Sequence, residues 1–342
     1  MQYIRYCITH FVTLHKITLL TPAAKKTLSL SIKLAIIGLA YWFIYRAVSN
    51  KAELSQFKDL VSHVSENKVT VTMSAVCVLM LLNWLLEAFK WKYLTRRLQR
   101  MTIWRSIAAV FCGLTWAIFT PNRLGEYGGR ILYLPPSKRG YGVFTMAVGS
   151  FGQNVVTNVV GATALMWFVF SFLHLNVWVL MLLTLLAVAL AGIMLICFFN
   201  IRWLAVLLNK IRFMHKYERF FNIIAQYRKR ELAMVMLFCL SRFAVFSSEY
   251  YLVINLLLPQ LSIFPMLMMV FNMFFIQSAL PTLDLVDVGL RGMTAATFFS
   301  YITSQKLAVI ACVSSIWFIN LIIPAIIGSV FVLKIRFFDR TA

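Results

Sequence analysis

Two acid–arginine pairs stand in otherwise apolar sequence, Glu126 with Arg130 and Asp287 with Arg291. Residues i and i+4 share one face of a helix, so each pair would present a carboxylate and a guanidinium side by side. Each pair follows a proline that interrupts a hydrophobic run, in Phe119-Thr120-Pro121 and in Ala279-Leu280-Pro281, and the two prolines are 160 residues apart. Charges at bilayer depth are costly and functional by default, and interrupted helices at matching places in two halves of a membrane protein point to a transport site. The competing reading is that each pair is an internal salt bridge locking a bent helix.

Other polar residues fall at helical spacing in apolar runs. Glu87 and Glu249 precede the two prolines at nearly matching distances. A carboxyl in such a place could couple transport to protons, but Lys90 and Lys92 lie within a turn or so of Glu87, and pairing with one of them is its expected role. Glu249 has Arg242 as its nearest charged neighbour in sequence, seven residues away and off the i+4 spacing. Gln153, Asn154, Thr157 and Asn158 make a polar stripe, of a kind that more often glues helices together than binds ligand, although it could also solvate a sliding headgroup.

The elements that would hold these residues are set by composition. Of 342 residues, 61% are hydrophobic and 13% charged, and the mean hydropathy is +0.81. Charged residues approach about a quarter of a soluble globule, so this is the composition of a polytopic membrane protein. Apolar runs predict spans at about 27–48, 69–94, 142–172, 177–199, 232–258 and 304–334. Two further units, 103–134 and 263–301, are too long for one span and are broken at their prolines, which predicts two half-helices in each. Broken backbone survives at membrane depth only where protein buries it or where it lines a wet cavity.

The net charge of +22 arises from 33 Lys and Arg against 11 Asp and Glu. These basic residues lie between spans and read as topology signals and lipid-headgroup contacts rather than as a nucleic-acid surface. The segments 90–105, 202–230 and the tail from 334 on are basic and belong inside, whereas 49–68, 172–177 and 258–265 are balanced or carry no Lys or Arg and face out. Unit 103–134 then has both ends inside and unit 263–301 both ends outside. The expected fold is all-α: a polytopic membrane helix bundle of two inverted repeats, each containing a broken re-entrant hairpin. Residues 1–26 form an N-terminal tail or interfacial helix, 27–172 the first repeat and 173–342 the second. Trp42, Trp91, Trp104 and Trp178 read as interfacial anchors. The six cysteines and five histidines are scattered without metal-ligand spacing, so neither a metal nor a cofactor is expected.

The run Phe119-Thr-Pro-Asn-Arg-Leu-Gly-Glu126, continuing to Arg130, resembles the proline, glycine-glutamate and downstream arginine motif of the lysylphosphatidylglycerol synthase/flippase transmembrane family. The likeness extends over roughly 30–335. In the second half, Pro281-Thr-Leu-Asp-Leu-Val-Asp-Val-Gly289 keeps a proline and a glycine but lacks the Pro-Gly-Gly run, and Gln153-Asn154 stands where the family carries a Glu-Arg pair. The resemblance implies lipid translocation between leaflets in the plasma (inner) membrane. No segment is long and polar enough for the family's synthase domain, so a membrane part without enzymatic activity is expected.

On that reading the cargo is an anionic or aminoacylated phospholipid, or a lipid-linked headgroup. A planar, permanently charged guanidinium suits its phosphate, which selects Arg130 and Arg291 first and Arg123 next. Glu126, Asp284 and Asp287 would hold those arginines when the site is empty or take up a headgroup amine. Glu249, Gln153, Asn154 and Thr157 are secondary candidates. Half-helices beginning near Asn122 and Thr282 would add backbone amides. The partners are membrane phospholipids, with a second copy of the chain or a separately encoded lipid-modifying enzyme as the expected protein partner. The alternatives are an intramembrane enzyme using Glu126 or Asp287 as base on a lipid phosphate, and a non-transporting scaffold.

Overall fold

The computed structural model describes residues 64–118, 120, 123–210, 218–279 and 284–333, besides the single positions 31, 38 and 62. The expected first span at 27–48 and the tail 1–26 lie outside the described residues, as do the prolines of both breaks. Among the described residues the structure is helical with no strand, and five helices are long and apolar enough to cross a membrane.

The first three helices are α1 (Glu66–Thr95), α2 (Ile103–Ala117) and α3 (Leu124–Ile131). A short 3₁₀ turn at Pro136–Lys138 leads into α4 (Arg139–Phe172), followed by α5 (Val177–Phe199). The basic stretch then folds into α6 (Ile201–Lys210) and α7 (Glu218–Ala225), which hydropathy alone does not separate from loop. The last helices are α8 (Lys229–Leu257), α9 (Ile263–Ala279), α10 (Asp284–Phe299), α11 (Lys306–Trp317) and α12 (Ile323–Leu333). The spans expected beyond residue 64 thus appear within a few residues of their predicted limits.

Among the described residues each prolyl unit contributes two helices, α2 and α3 in one and α9 and α10 in the other. The arms α2 and α3 contain 15 and 8 residues, or about 22 and 12 Å at the helical rise, so neither crosses a hydrocarbon core of about 30 Å alone. They fold back on each other because glycines permit it. A Cβ at Gly129 would lie 2.5 Å from the Gly113 Cα, and one at Gly125 would lie 2.1 Å from the Trp116 carbonyl oxygen. Gly125 and Gly129 are one turn apart, so this small-residue face meets α2, the stems of Glu126 and Arg130 pass beside Gly113, and the Arg130 guanidinium reaches on to Glu87 of α1. Thr120 secures the turn: its hydroxyl accepts from the Gly125 amide at 2.7 Å and donates to the Trp116 carbonyl at 3.1 Å.

The two longest contact seams are between α1 and α8 and between the arms α2 and α3. Helices α1 and α8 run antiparallel. Glu231, near the start of α8, accepts from Arg96 and from Arg97, the latter at 2.6 Å, and the Tyr227 hydroxyl donates to the Leu94 carbonyl at 2.9 Å. The Arg96 guanidinium, outside the span, is raised above its ordinary value by this hydrogen bond to Glu231. Around the seam the packing is reciprocal: α12 lies on α2, and α9 lies on α4. Each contact is made close by a glycine, Gly328 against Phe111 and Thr115 in one and Gly161 against Phe275 in the other.

Between α11 and α12 the helix opens into a π turn at Phe318–Ile322. Pro324 is its cause, since it has no amide to donate to the Asn320 carbonyl one turn back and its ring crowds that position. Trp91, expected at an interface, is instead 1% exposed and packs beside Arg130, whose guanidinium lies 5.9 Å from its ring. Trp104 and Trp178 are exposed as expected.

Candidate functional site

The residues of α1 that matter recur along one helical face. Asn83, Glu87 and Lys90 are spaced i, i+4 and i+7, and all three are buried. Glu87 accepts from three cations on three elements. Lys90 Nζ lies 2.7 Å from its Oε2, Arg130 Nη1 of α3 lies 2.6 Å from its Oε1, and Arg242 Nη1 of α8 bonds Oε2 as well. Arg130 reaches back with Nη2 to Glu126, one turn earlier on α3. Glu126 in turn has the Nε of Arg123 at 3.5 Å. Arg242 also donates its Nε to Asn83 Oδ1 at 2.9 Å.

This cluster locks the first broken unit to the α1–α8 seam. It contains four cations, Lys90, Arg123, Arg130 and Arg242, against two carboxylates, an excess of two positive charges. Buried charges are expensive unless paired, so removing one partner is strongly destabilising. Arg130, 2% exposed, is held from both sides and does not line the cavity described next. For Glu126 and Arg130 the geometry is that of a clamp.

Above the cluster lies a cavity of about 280 Å³ between the two halves. Arg123 at the start of α3, Arg242 from α8 and Arg291 from α10 line it, together with Trp84 of α1. The guanidiniums of Arg123 and Arg242 both lie over the Trp84 ring, at 5.8 and 5.3 Å from its centroid, where the ring quadrupole favours a cation. Polar wall is added by Gln153 and Thr157 of α4, Gln277 and Ser278 at the end of α9, and Asn320 in the π turn. Asn83, Phe243, Phe246, Phe274, Trp317 and Leu321 complete it. Among the described residues no carboxylate lines this space.

Arg123 has the one positive φ outside glycine among the described residues, at 56°. The left-handed conformation costs an ordinary residue roughly 1–2 kcal/mol, and such strain gathers at functional positions. Its Nη2 is buried without a hydrogen-bond partner, as is Nε2 of Gln277 across the cavity.

The other expected residues divide clearly. The polar stripe of α4 splits by face: Gln153 and Thr157, one turn apart, line the cavity, while Asn154 is exposed. Asn158 accepts from Ser278 at 3.3 Å and links α4 to α9. Glu87 does pair with Lys90 as expected, but deep in the bundle and with Arg130 and Arg242 added. Arg291 lines the cavity. The side chains of Asp284 and Asp287 lie outside the described residues. Glu249 is fully buried and accepts from Asn320 Nδ2, while its Oε1 has no hydrogen-bond partner.

Sequence reading missed Arg242, Trp84, Gln277 and Asn320. For Arg242 a signal existed, since an arginine in the middle of a predicted span marks a site by itself. For Trp84 and Asn320 there was none, because their roles depend on what packs opposite. No group of three or more His, Cys, Asp or Glu among the described residues could hold a metal. Comparison with protein-family models, with curated proteins and with solved structures finds no match for the chain.

Proposed function

We propose that the chain is an integral membrane translocase that moves the anionic headgroup of a phospholipid or lipid-linked molecule between leaflets. The observation that carries this reading is the arginine-lined cavity between the halves, closed on its walls by amides and aromatic rings and free of carboxylates among the described residues. At about 280 Å³ it falls just under the usual range of roughly 300–1,000 Å³ for drug-sized ligand pockets, which suits a headgroup whose acyl chains stay in lipid. Guanidiniums replace the phosphate's hydration by planar, paired donors during passage through hydrocarbon. The amides supply neutral hydrogen bonds along the way.

The reading includes two inverted repeats with re-entrant hairpins. Support comes from the reciprocal packing, in which α2 meets the last helix of the other half and α9 meets α4, around an antiparallel α1–α8 pair. Opposite basic flanks of the two breaks point the same way. The resemblance of the first broken unit to the lysylphosphatidylglycerol synthase/flippase transmembrane family agrees with both. A plasma (inner) membrane location, membrane phospholipids as partners and the absence of enzymatic activity belong to this proposal.

Liposomes provide the test. Purified protein should accelerate loss of leaflet asymmetry of a labelled anionic phospholipid, and Arg123→Gln and Arg291→Gln should each slow it severalfold while circular dichroism in detergent shows the helical fold retained. An unchanged rate across a panel of lipids would remove the translocase reading. Cysteine accessibility that puts residues 134–141 and 258–265 on the same side of the membrane would overturn the inverted repeats.

A further inference from the structure

Resting on the translocase reading, we infer that the cavity takes a phosphate headgroup carrying two negative charges, a phosphomonoester or a diphosphate, and rejects an aminoacylated, net cationic one. The clamp beneath the cavity and the cavity wall form one electrostatic unit, because Arg123 and Arg242 belong to both. Within that unit Lys90, Arg123, Arg130 and Arg242 exceed Glu87 and Glu126 by two charges, counting neither Arg291, whose own helix carries Asp284 and Asp287, nor Glu249, which is hydrogen-bonded to Asn320 behind the wall. A phosphodiester such as a glycerol lipid's leaves one of these unmatched. A doubly ionised phosphate matches both.

The arrangement of the guanidiniums agrees with the count. Arg123 and Arg242 lie over one indole and line the same cavity, so two like charges face one space. An anion between them relieves their repulsion, and a second negative charge relieves more of it. A terminal phosphate or diphosphate also offers the lining guanidiniums and amides more free oxygens than a diester does. An amine finds no carboxylate among the described residues of the wall to receive it, since Glu87 and Glu126 are already engaged below. Like-charge rejection is then a selectivity device.

Transport and binding measured separately test this. In liposomes, the full chain should move a labelled phosphatidic acid about tenfold faster than phosphatidylglycerol, and lysyl-phosphatidylglycerol more slowly still, with Arg123→Gln flattening the difference between the first two. Equal rates for phosphatidic acid and phosphatidylglycerol, or faster movement of the lysyl lipid, overturn the dianion inference while leaving a translocase. Binding is read in detergent by tryptophan fluorescence and thermal shift, using short-chain phosphatidic acid, short-chain phosphatidylglycerol and inorganic pyrophosphate as probes. If no lipid moves but phosphatidic acid still binds about tenfold tighter than phosphatidylglycerol, the dianion site stands and the translocase reading falls. Pyrophosphate binding as tightly as phosphatidic acid supports the dianion chemistry and assigns it to a water-soluble ligand. Failure of both phosphatidic acid and pyrophosphate to bind overturns the inference.

Discussion

The two halves of the molecule place a buried carboxylate at nearly the same point of paired helices and then treat it in opposite ways. Glu87 of α1 meets Lys90, Arg130 and Arg242 and anchors the α2–α3 unit. Glu249 of α8 accepts from an amide, Asn320 in the π turn, and keeps one oxygen without a hydrogen bond. The first half is therefore clamped by charge. The second is joined by a neutral partner, Asn320, in the π turn that precedes Pro324.

The sharpest way to break this contrast is at Glu87. Glu87→Ala leaves Lys90, Arg130 and Arg242 short of their shared anion, and a loss of about 3–5 kcal/mol is expected, with the transition midpoint in detergent falling accordingly. A midpoint within about a degree of the parent would show that the charged clamp contributes nothing. Arg130→Lys should cost less, about 2 kcal/mol, because a lysine keeps the charge but cannot bridge Glu87 and Glu126 with two nitrogens. Its transport should fall together with its stability. Transport lost at unchanged stability would make Arg130 a headgroup ligand rather than a clamp.

A third comparison uses glycines that look alike in sequence. Gly129→Ala puts a methyl 2.5 Å from the Gly113 Cα and should destabilise by about 1–3 kcal/mol, since backbone rather than a flexible side chain must move. Gly289, in α10, has nothing within 4 Å of the place a methyl carbon would take, so Gly289→Ala should stabilise by about 0.5–1 kcal/mol through helix preference alone. Unfolding curves for the two variants should shift in opposite directions. The smallest effect is expected for Glu249→Gln. Its amide can accept from Asn320 Nδ2 and donate to Asn320 Oδ1, which is otherwise without a partner, so a change under about 1 kcal/mol is expected. A loss as large as that of Glu87→Ala would erase the distinction between the halves.

Much of this arrangement was legible in the chain. The five long helices follow from uninterrupted apolar length, and the two helices described in each prolyl unit agree with a proline between them. Arg123 and Arg291 could be picked out because an arginine in apolar sequence needs a reason, and both line the cavity. The i+4 pairing of Glu126 with Arg130 was also correct, but spacing could not tell a clamp from a binding site. That distinction depends on whether a third and fourth charge arrive from elsewhere. Glu87 reaches Arg130 across 43 residues of sequence, and Arg242 reaches Glu87 across 155.

Sequence alone determined that this is a helical membrane protein with two interrupted helical units, because hydropathic length and proline act locally, through the backbone of the segment that contains them. Tertiary structure alone decided which charges are spent and which remain. Gly125 and Gly129 turn one face of α3 onto α2, so Arg130 faces α1 and is neutralised there, while the left-handed turn at Arg123 and the seam of α1 with α8 bring two guanidiniums onto Trp84. Coulombic balance in a low-dielectric interior is a property of distances between segments, and no local pattern encodes it.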